Sequence, residues 1–258
     1  MVEAGYVAAG LLVGTVVGAT GVGGGSLMTP LLMFSGVPPA VAVGTDLIYA
    51  SATKAFGTTL HGQRGRVPWR IVGLLALGSV PASLVTILFL HSLKTDTAAL
   101  SRVLSVTLGF ALLLTAAVMV FGKRIRFNTP EAGENGTEGR APAFVTVALG
   151  LVLGALVTLS SVGAGAVGAA ALAALYPRLG IGRVVGADIA HAVPLTLVAG
   201  LGHASLGTVD LQLAANLLLG SLPGVWLGCR VADHLPEKGL RALLAGMLTL
   251  VGGKLAFL

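Results

Sequence analysis

Long apolar runs alternate with short polar breaks along the whole chain. Apolar stretches fall near residues 5–19, 26–35, 39–60, 71–90, 101–121, 143–160, 164–176, 183–202, 211–229 and 240–257. A helix needs roughly 20 apolar residues to cross about 30 Å of hydrocarbon. The stretches at 39–60, 71–90, 101–121, 183–202, 211–229 and 240–257 approach that length. The pairs 5–19/26–35 and 143–160/164–176 do not. Their arms are short or broken by glycine, and they meet at small, polar junctions: ATGVGGGS at 19–26 and SSVGAGAVG at 160–168. No run sustains the apolar/polar alternation that a membrane β-barrel requires. The pattern therefore predicts an all-α polytopic membrane protein.

Composition removes the soluble alternative. Of 258 residues, 55% are hydrophobic and 10% are charged, and the mean hydropathy is +0.94. Soluble domains carry about 25% charged residues. The 38 glycines suit close helix–helix contact in a bilayer. The net charge of +6 does not indicate a nucleic-acid partner, because the basic residues sit in short connections between apolar runs, where they set topology. Cys229 is the lone cysteine, so no intrachain disulfide can form. No Cys/His spacing suggests a metal, and no cofactor is expected. Glu3 is the only early charge and there is no basic n-region, so a cleaved signal peptide is not expected. Residues 122–142 form the only polar stretch of any length, with Lys123, Arg124, Arg126, Glu131, Glu134 and Glu138. They read as a linker between halves at 1–121 and 143–258.

The halves repeat. At an offset of 142 residues, LGSVPAS (77–83) falls on LGSLPGV (219–225), Gly44 and Asp46 on Gly186 and Asp188, and His61 on His203. At an offset of 140, Gly10, Gly14, Gly23 and Gly25 fall on Gly150, Gly154, Gly163 and Gly165. An insertion near 176–180 reconciles the two. Loop charges set the orientation, since basic residues mark the cytoplasmic side. The 61–70 connection holds Arg64, Arg66 and Arg70, whereas its counterpart at 203–210 holds none. The 36–44 loop holds none, whereas its counterpart at 177–183 holds Arg178 and Arg183. Equivalent loops thus face opposite sides. The expectation is two inverted-topology repeats, each a broken, re-entrant helix hairpin plus three transmembrane helices. Both termini lie outside a bacterial-type inner (plasma) membrane and the 122–142 linker is cytoplasmic. Lys94 and Arg102, in a loop assigned outside, pull against this scheme. Inverted repeats with broken helices at matching positions are the pattern of secondary transporters, whose sites lie where the broken segments meet.

Charges inside the spans are costly and therefore candidates for function. They are Asp46, Lys54 and Asp188. Pro38 and Pro39 suit a helix start, which puts Asp46 about 10 Å along the axis. Asp46 and Asp188 can each be a proton site or gating partner, or a structural carboxylate tying hairpin amides to a neighbouring helix. Lys54 aligns with Thr196 and so has no counterpart. It either faces the cavity and attracts an anion or snorkels to the interface. His191, one turn from Asp188, can relay protons or simply bond between helices. His61 and His203 sit at span ends and are expected at the interface; His91 and His234 read as loop residues. At the first hairpin tip, Gly23, Gly24 and Gly25 let the backbone approach a ligand and Ser26 opens a helix. Helix N-termini bind anions. The second tip offers Ser160, Ser161, Gly163 and Gly165 for the same purpose.

These motifs resemble one family. GVGGGSLMTPLL (21–32), VAVGTDLIYASATKAFGT (41–58), VGADIAHAVPLTLVAGLGHASLGTVD (185–210) and LLLGSLPGVWLG (217–228) are similar to the TauE/SafE family of sulfite exporters and sulfonate permeases, over essentially the whole chain. The resemblance implies transport of sulfur-containing anions such as sulfite, thiosulfate or organosulfonates, coupled to protons. It carries Gly23, Gly24, Gly25, Ser26, Pro30, Thr45 and Asp46 onto the binding site. The second half departs, with Ala170 at the place of Pro30 and Ala187 at the place of Thr45. One tip is thus expected to differ from the other in what it binds.

The leading expectation is a secondary carrier for a small oxyanion, with Asp46, Asp188 or His191 moving the proton. A passive anion channel and a divalent-cation permease are the rivals. No GxxxxGK[ST] loop marks a primary pump, and no HExxH or GxSxG motif marks an enzyme. Cysteines placed at 64 and 206 in a chain lacking Cys229 should label from opposite sides of the membrane. Labelling of both from one side would disprove the inverted arrangement.

Overall fold

The computed structural model describes residues 3–20, 25–63, 67–93, 96–126, 142–231 and 237–256. Ten helices account for nearly all of them: α1 (Ala4–Thr20), α2 (Gly25–Phe34), α3 (Pro39–Gln63), α4 (Trp69–Ser92), α5 (Thr97–Arg126), α6 (Ala143–Ser160), α7 (Ala166–Leu175), α8 (Ile181–Leu206), α9 (Leu211–Val231) and α10 (Glu237–Ala256). No strand occurs among the described residues. Each helix coincides with one apolar run of the sequence. Gly23, Gly24, Arg64, Arg66, Lys94, His234 and linker positions 127–141 lie outside the described residues.

Among the described residues, five helices are long and apolar enough to cross a membrane: Trp69–Ser92, Thr97–Phe121, Ala143–Ser160, Gly182–Leu206 and Leu211–Gly228. Two details differ from expectation. Residues 143–160, read as a short hairpin arm, form a full 18-residue apolar helix. The helix α3, expected to cross, has 25 residues but is less apolar than the five. Its polar residues are turned toward other helices: Thr45, Asp46, Ser51, Thr53 and Lys54 are all buried. The surface is inverted relative to a soluble protein. On α4, Leu77, Leu84, Val85 and Leu88 are exposed while Ser79, Ser83 and Thr86 are buried. Lipid, not water, suits that face.

Small residues decide which helices pair. Gly10, Gly14 and Gly18 form a four-residue ladder on α1 that lies against Leu217, Ser221 and Val225 of α9. A Cβ at Gly14 would stand 2.5 Å from the Ser221 carbonyl oxygen. On the other side, Gly150 and Gly154 of α6 lie against Leu75 and Ser79 of α4. These contacts are counterparts under the sequence offsets: Gly10 and Leu217 become Gly150 and Leu75, and Gly14 and Ser221 become Gly154 and Ser79. Two apolar clusters correspond in the same way. Leu32, Ala42 and Leu217 meet in one, and Leu172, Val184 and Leu75 in the other. Between them α3 and α8 cross in antiparallel register, with Ile48 against Gly200 and Gly57 against Ile189. The helices α5 and α10 are also antiparallel, with Gly109 against Ala256 and Leu112 against Gly252.

Backbone against backbone leaves no room to yield. Gly78→Leu should lower the thermal unfolding temperature of the protein in detergent, because its Cβ would meet the Val147 carbonyl oxygen and stand 2.8 Å from Leu151 N. The cost is about 1–3 kcal/mol or more. Gly73→Leu, on the same helix with nothing within 4 Å, should leave it unchanged. Equal melting of the two variants would refute the close approach.

Candidate functional site

The second hairpin turns on a short, strained tip. The helix α6 ends at Ser161, whose φ of 56° is left-handed, with its N–H on the Val157 carbonyl at 2.7 Å. Gly163 and Gly165 follow at φ 124° and 134°, values that side chains rarely adopt. The Gly168 N–H then closes onto the Gly163 carbonyl at 2.8 Å, and α7 begins. Ser160 Oγ donates back to the Leu156 carbonyl of its own helix at 2.6 Å.

Both intramembrane carboxylates reach a short helix of their own hairpin. Asp46, fully buried on α3, accepts from the Thr29 hydroxyl in α2. Asp188, on α8, lies beside the Gly165 N–H at the start of α7. Its Oδ1 lies so close over Gly168 that a Cβ there would overlap it. Each carboxylate thus faces a short helix of its own hairpin.

Lys54 stands between them. It is 7% exposed, so it does not snorkel. Its Nζ donates to the Ala164 carbonyl of the second tip at 3.2 Å. The ammonium acts electrostatically on Asp188, on Asp46 and on His191. Ser161 Oγ lies beside the Asp46 carboxylate without completing a hydrogen bond to it. Among the described residues, four buried polar atoms here have no hydrogen-bond partner: Asp46 Oδ1, Ser161 Oγ, Asp188 Oδ1 and His191 Nδ1. A buried polar atom left unpaired is costly, and this cluster is therefore the candidate site.

The residues singled out in the sequence thus divide. Asp46, Lys54, Ser161, Asp188 and His191 converge, with Gly163 and Gly165 forming the backbone of the tip. Thr45 does not join them. One step round α3 from Asp46, its hydroxyl accepts the Asp210 N–H at 3.0 Å in the α8–α9 turn. Gly25 and Ser26 open α2. His203 is a correction. It lies in the last turn of α8, at a span end as expected, but is fully buried, because the turn after Leu206 folds back. Its Nε2 lies 2.9 Å from the Thr158 carbonyl, an acceptor, so Nε2 carries the proton, and Nδ1 faces Thr208 Oγ1 at 3.0 Å. His91 lies in the last turn of α4, exposed, 3.0 Å from Ser205 Oγ.

Sequence reasoning missed a matched pair. His191 Nε2 lies 2.8 Å from Ser79 Oγ on α4. Tyr49 donates its hydroxyl to Ser221 Oγ on α9 at 2.7 Å. At the 142-residue offset Tyr49 is the counterpart of His191, and Ser221 of Ser79. The signal was present in the repeated Gly-Ser-x-Pro block, which was read for its offset and not for its hydroxyls.

A cleft of 420 Å³ opens at the end of the fold that carries the 35–38 turn, walled by Glu3, Tyr6, Ser35, Asp210 and Asn216. No group of three or more His, Cys, Asp or Glu able to hold a metal occurs among the described residues.

Relatives share this chain from end to end. It is 37% identical over 250 residues to the probable membrane transporter protein YjnA of Bacillus subtilis (strain 168), covering 95% of this chain and 96% of that one. It is 25% identical over 259 residues to the probable membrane transporter protein YdhB of the same organism, covering 93% and 96%. A probable membrane transporter protein of Xylella fastidiosa (strain 9a5c) is 27% identical over 233 residues, covering 88% and 84%. No solved structure matches. The family model described as "Sulfite exporter TauE/SafE" matches residues 6–255, and the chain, a multi-pass membrane transporter, belongs to that family.

Proposed function

We propose that the chain is a proton-coupled secondary transporter of small sulfur-containing anions, whether sulfite, thiosulfate or an organosulfonate. The observation that carries this reading is the burial of the Lys54 ammonium at the second hairpin tip, among polar atoms that no protein group completes. A buried cation beside a helix start is a place for an oxyanion. The family name supports a sulfur oxyanion as its cargo.

The path runs between the two hairpins, and the halves are inverted repeats. The antiparallel registers of α3 with α8 and of α5 with α10 support this, since each pair consists of counterparts. So does the exchange of glycine contacts between α1·α9 and α6·α4. Glu3, the 35–38 turn and Asp210 share one cleft, which agrees with loop charges that put all three outside and the 122–142 linker in the cytoplasm.

In proteoliposomes, thiosulfate uptake should saturate and should rise when a pH gradient is imposed. Lys54→Met should raise the half-saturating concentration about tenfold or more, because a charge-assisted contact worth roughly 1.5–3 kcal/mol is lost. Unaltered affinity would leave Lys54 a packing residue. Ohmic single-channel currents would make the protein a channel instead of a carrier.

A further inference from the structure

We infer that Asp188 is a built-in competitor of the transported anion, occupying the anion's place until a proton releases it. The inference rests on the anion-carrier reading above. The start of α7 offers an oxyanion the Gly165 N–H, the positive end of a helix and the nearby Lys54 ammonium. That place is already taken. The Asp188 carboxylate lies beside the Gly165 N–H, within the field of the Lys54 ammonium, with its Oδ1 over Gly168. A second anion beside it would set like charges together away from water, which is strongly unfavourable. The neutral groups needed to finish an anion's coordination are nevertheless waiting. Ser161 Oγ is 1% exposed and His191 is fully buried, and neither Ser161 Oγ nor His191 Nδ1 has a partner.

The surroundings leave few other proton carriers. From α3, Lys54 and Asp46 both lie within electrostatic reach, while Tyr49 is turned to Ser221. Helices α6 and α7 contain no titratable side chain, and α4 holds only Arg70 and His91, at its two ends. On α8 itself, His191 is one turn away, with Arg183 and His203 toward the helix ends. The exchange balances in charge for a monovalent anion such as methanesulfonate; a divalent anion such as thiosulfate takes the same place with one net negative charge more. The carboxylate takes one proton from the aqueous side, becomes neutral, and releases the Gly165 N–H and Lys54. The anion takes both. On the far side the proton leaves, the carboxylate returns to its donors, and the anion is expelled.

The test is equilibrium binding of thiosulfate and of methanesulfonate, whose own charges do not change between mildly acid and neutral pH. Wild-type protein should bind about tenfold more tightly for each unit of falling pH, as one linked proton requires. Asp188→Asn should bind at all pH values at least as tightly as wild type does in acid, with its slope lost. A variant that keeps the wild-type slope, or that melts normally yet binds neither anion, would overturn the inference. If Asp188→Asn does not fold, wild type carries the test. Binding must then take up about one proton from weakly buffered solution, read with an indicator dye, and no uptake would overturn it. Wild type that binds neither anion at any pH would remove the carrier reading itself, and this inference with it.

Discussion

A helix that stops inside a bilayer leaves N–H and C=O groups with no water to meet them, and these must be satisfied by protein. The rest of this structure follows from that constraint, because α6 ends and α7 begins at a tip whose Ser160, Ser161, Val162 and Ala164 are buried. Side chains from neighbouring helices answer it one group at a time. Asp46 takes the Thr29 hydroxyl in α2, and Asp188 lies beside the Gly165 N–H at the start of α7. His203 takes the Thr158 carbonyl near the end of α6, and Lys54 takes the Ala164 carbonyl within the tip. The costly residues of α3 and α8 are therefore also the ones that hold the broken helices in place. Those two helices must stay central and paired for any of it to work.

The pairing is set by glycine and not by apolar burial, since lipid is as apolar as leucine. The glycine contacts of α1 with α9 recur between α6 and α4, and the Tyr49–Ser221 bond recurs as His191–Ser79. The departures from this correspondence are concentrated at the tips. Tyr49 is complete with one bond, whereas His191 in the same place has a second nitrogen with no partner. Lys54 reaches the opposite half, whereas its counterpart Thr196 bonds the Ala192 carbonyl of its own helix at 2.7 Å. Thr29 donates to Asp46, whereas its counterpart Ala169 has no hydroxyl to offer Asp188.

The helices were legible because apolar runs are bounded by glycine, proline and charge, and the boundaries fell within a few residues. The exception at α5 has a plain cause. Lys123, Arg124 and Arg126 mark the end of the apolar run, but lysine and arginine are good helix formers, so the helix continues to Arg126. In the candidate site, Asp46, Lys54, Asp188 and His191 were legible because ionisable groups stand out in apolar sequence. Ser79 and Ser221 were not, since a serine or threonine hydroxyl in a membrane helix can bond its own backbone, as Thr115 does to Ala111, and Tyr49 reads as one more ring in an apolar run. Thr45 shows the limit of adjacency. Sharing a motif with Asp46 did not put it on the same face, because neighbouring residues point about 100° apart around a helix.

The unequal tips bear on how one site could serve both sides of a membrane. Two carboxylates share a single ammonium, and each belongs to a different hairpin. Away from water, a charge gained or lost at one is felt at the other through Lys54, since the interaction falls only with distance and is weakly screened. The hairpins are therefore coupled without touching extensively, and the coupling is directional in structure. Lys54 is bonded to the second tip. Under the carrier reading, the tip that holds the lysine is the one that exchanges its carboxylate for cargo. The first hairpin, whose Thr29 hydroxyl holds Asp46, keeps its own helix tied while that exchange takes place.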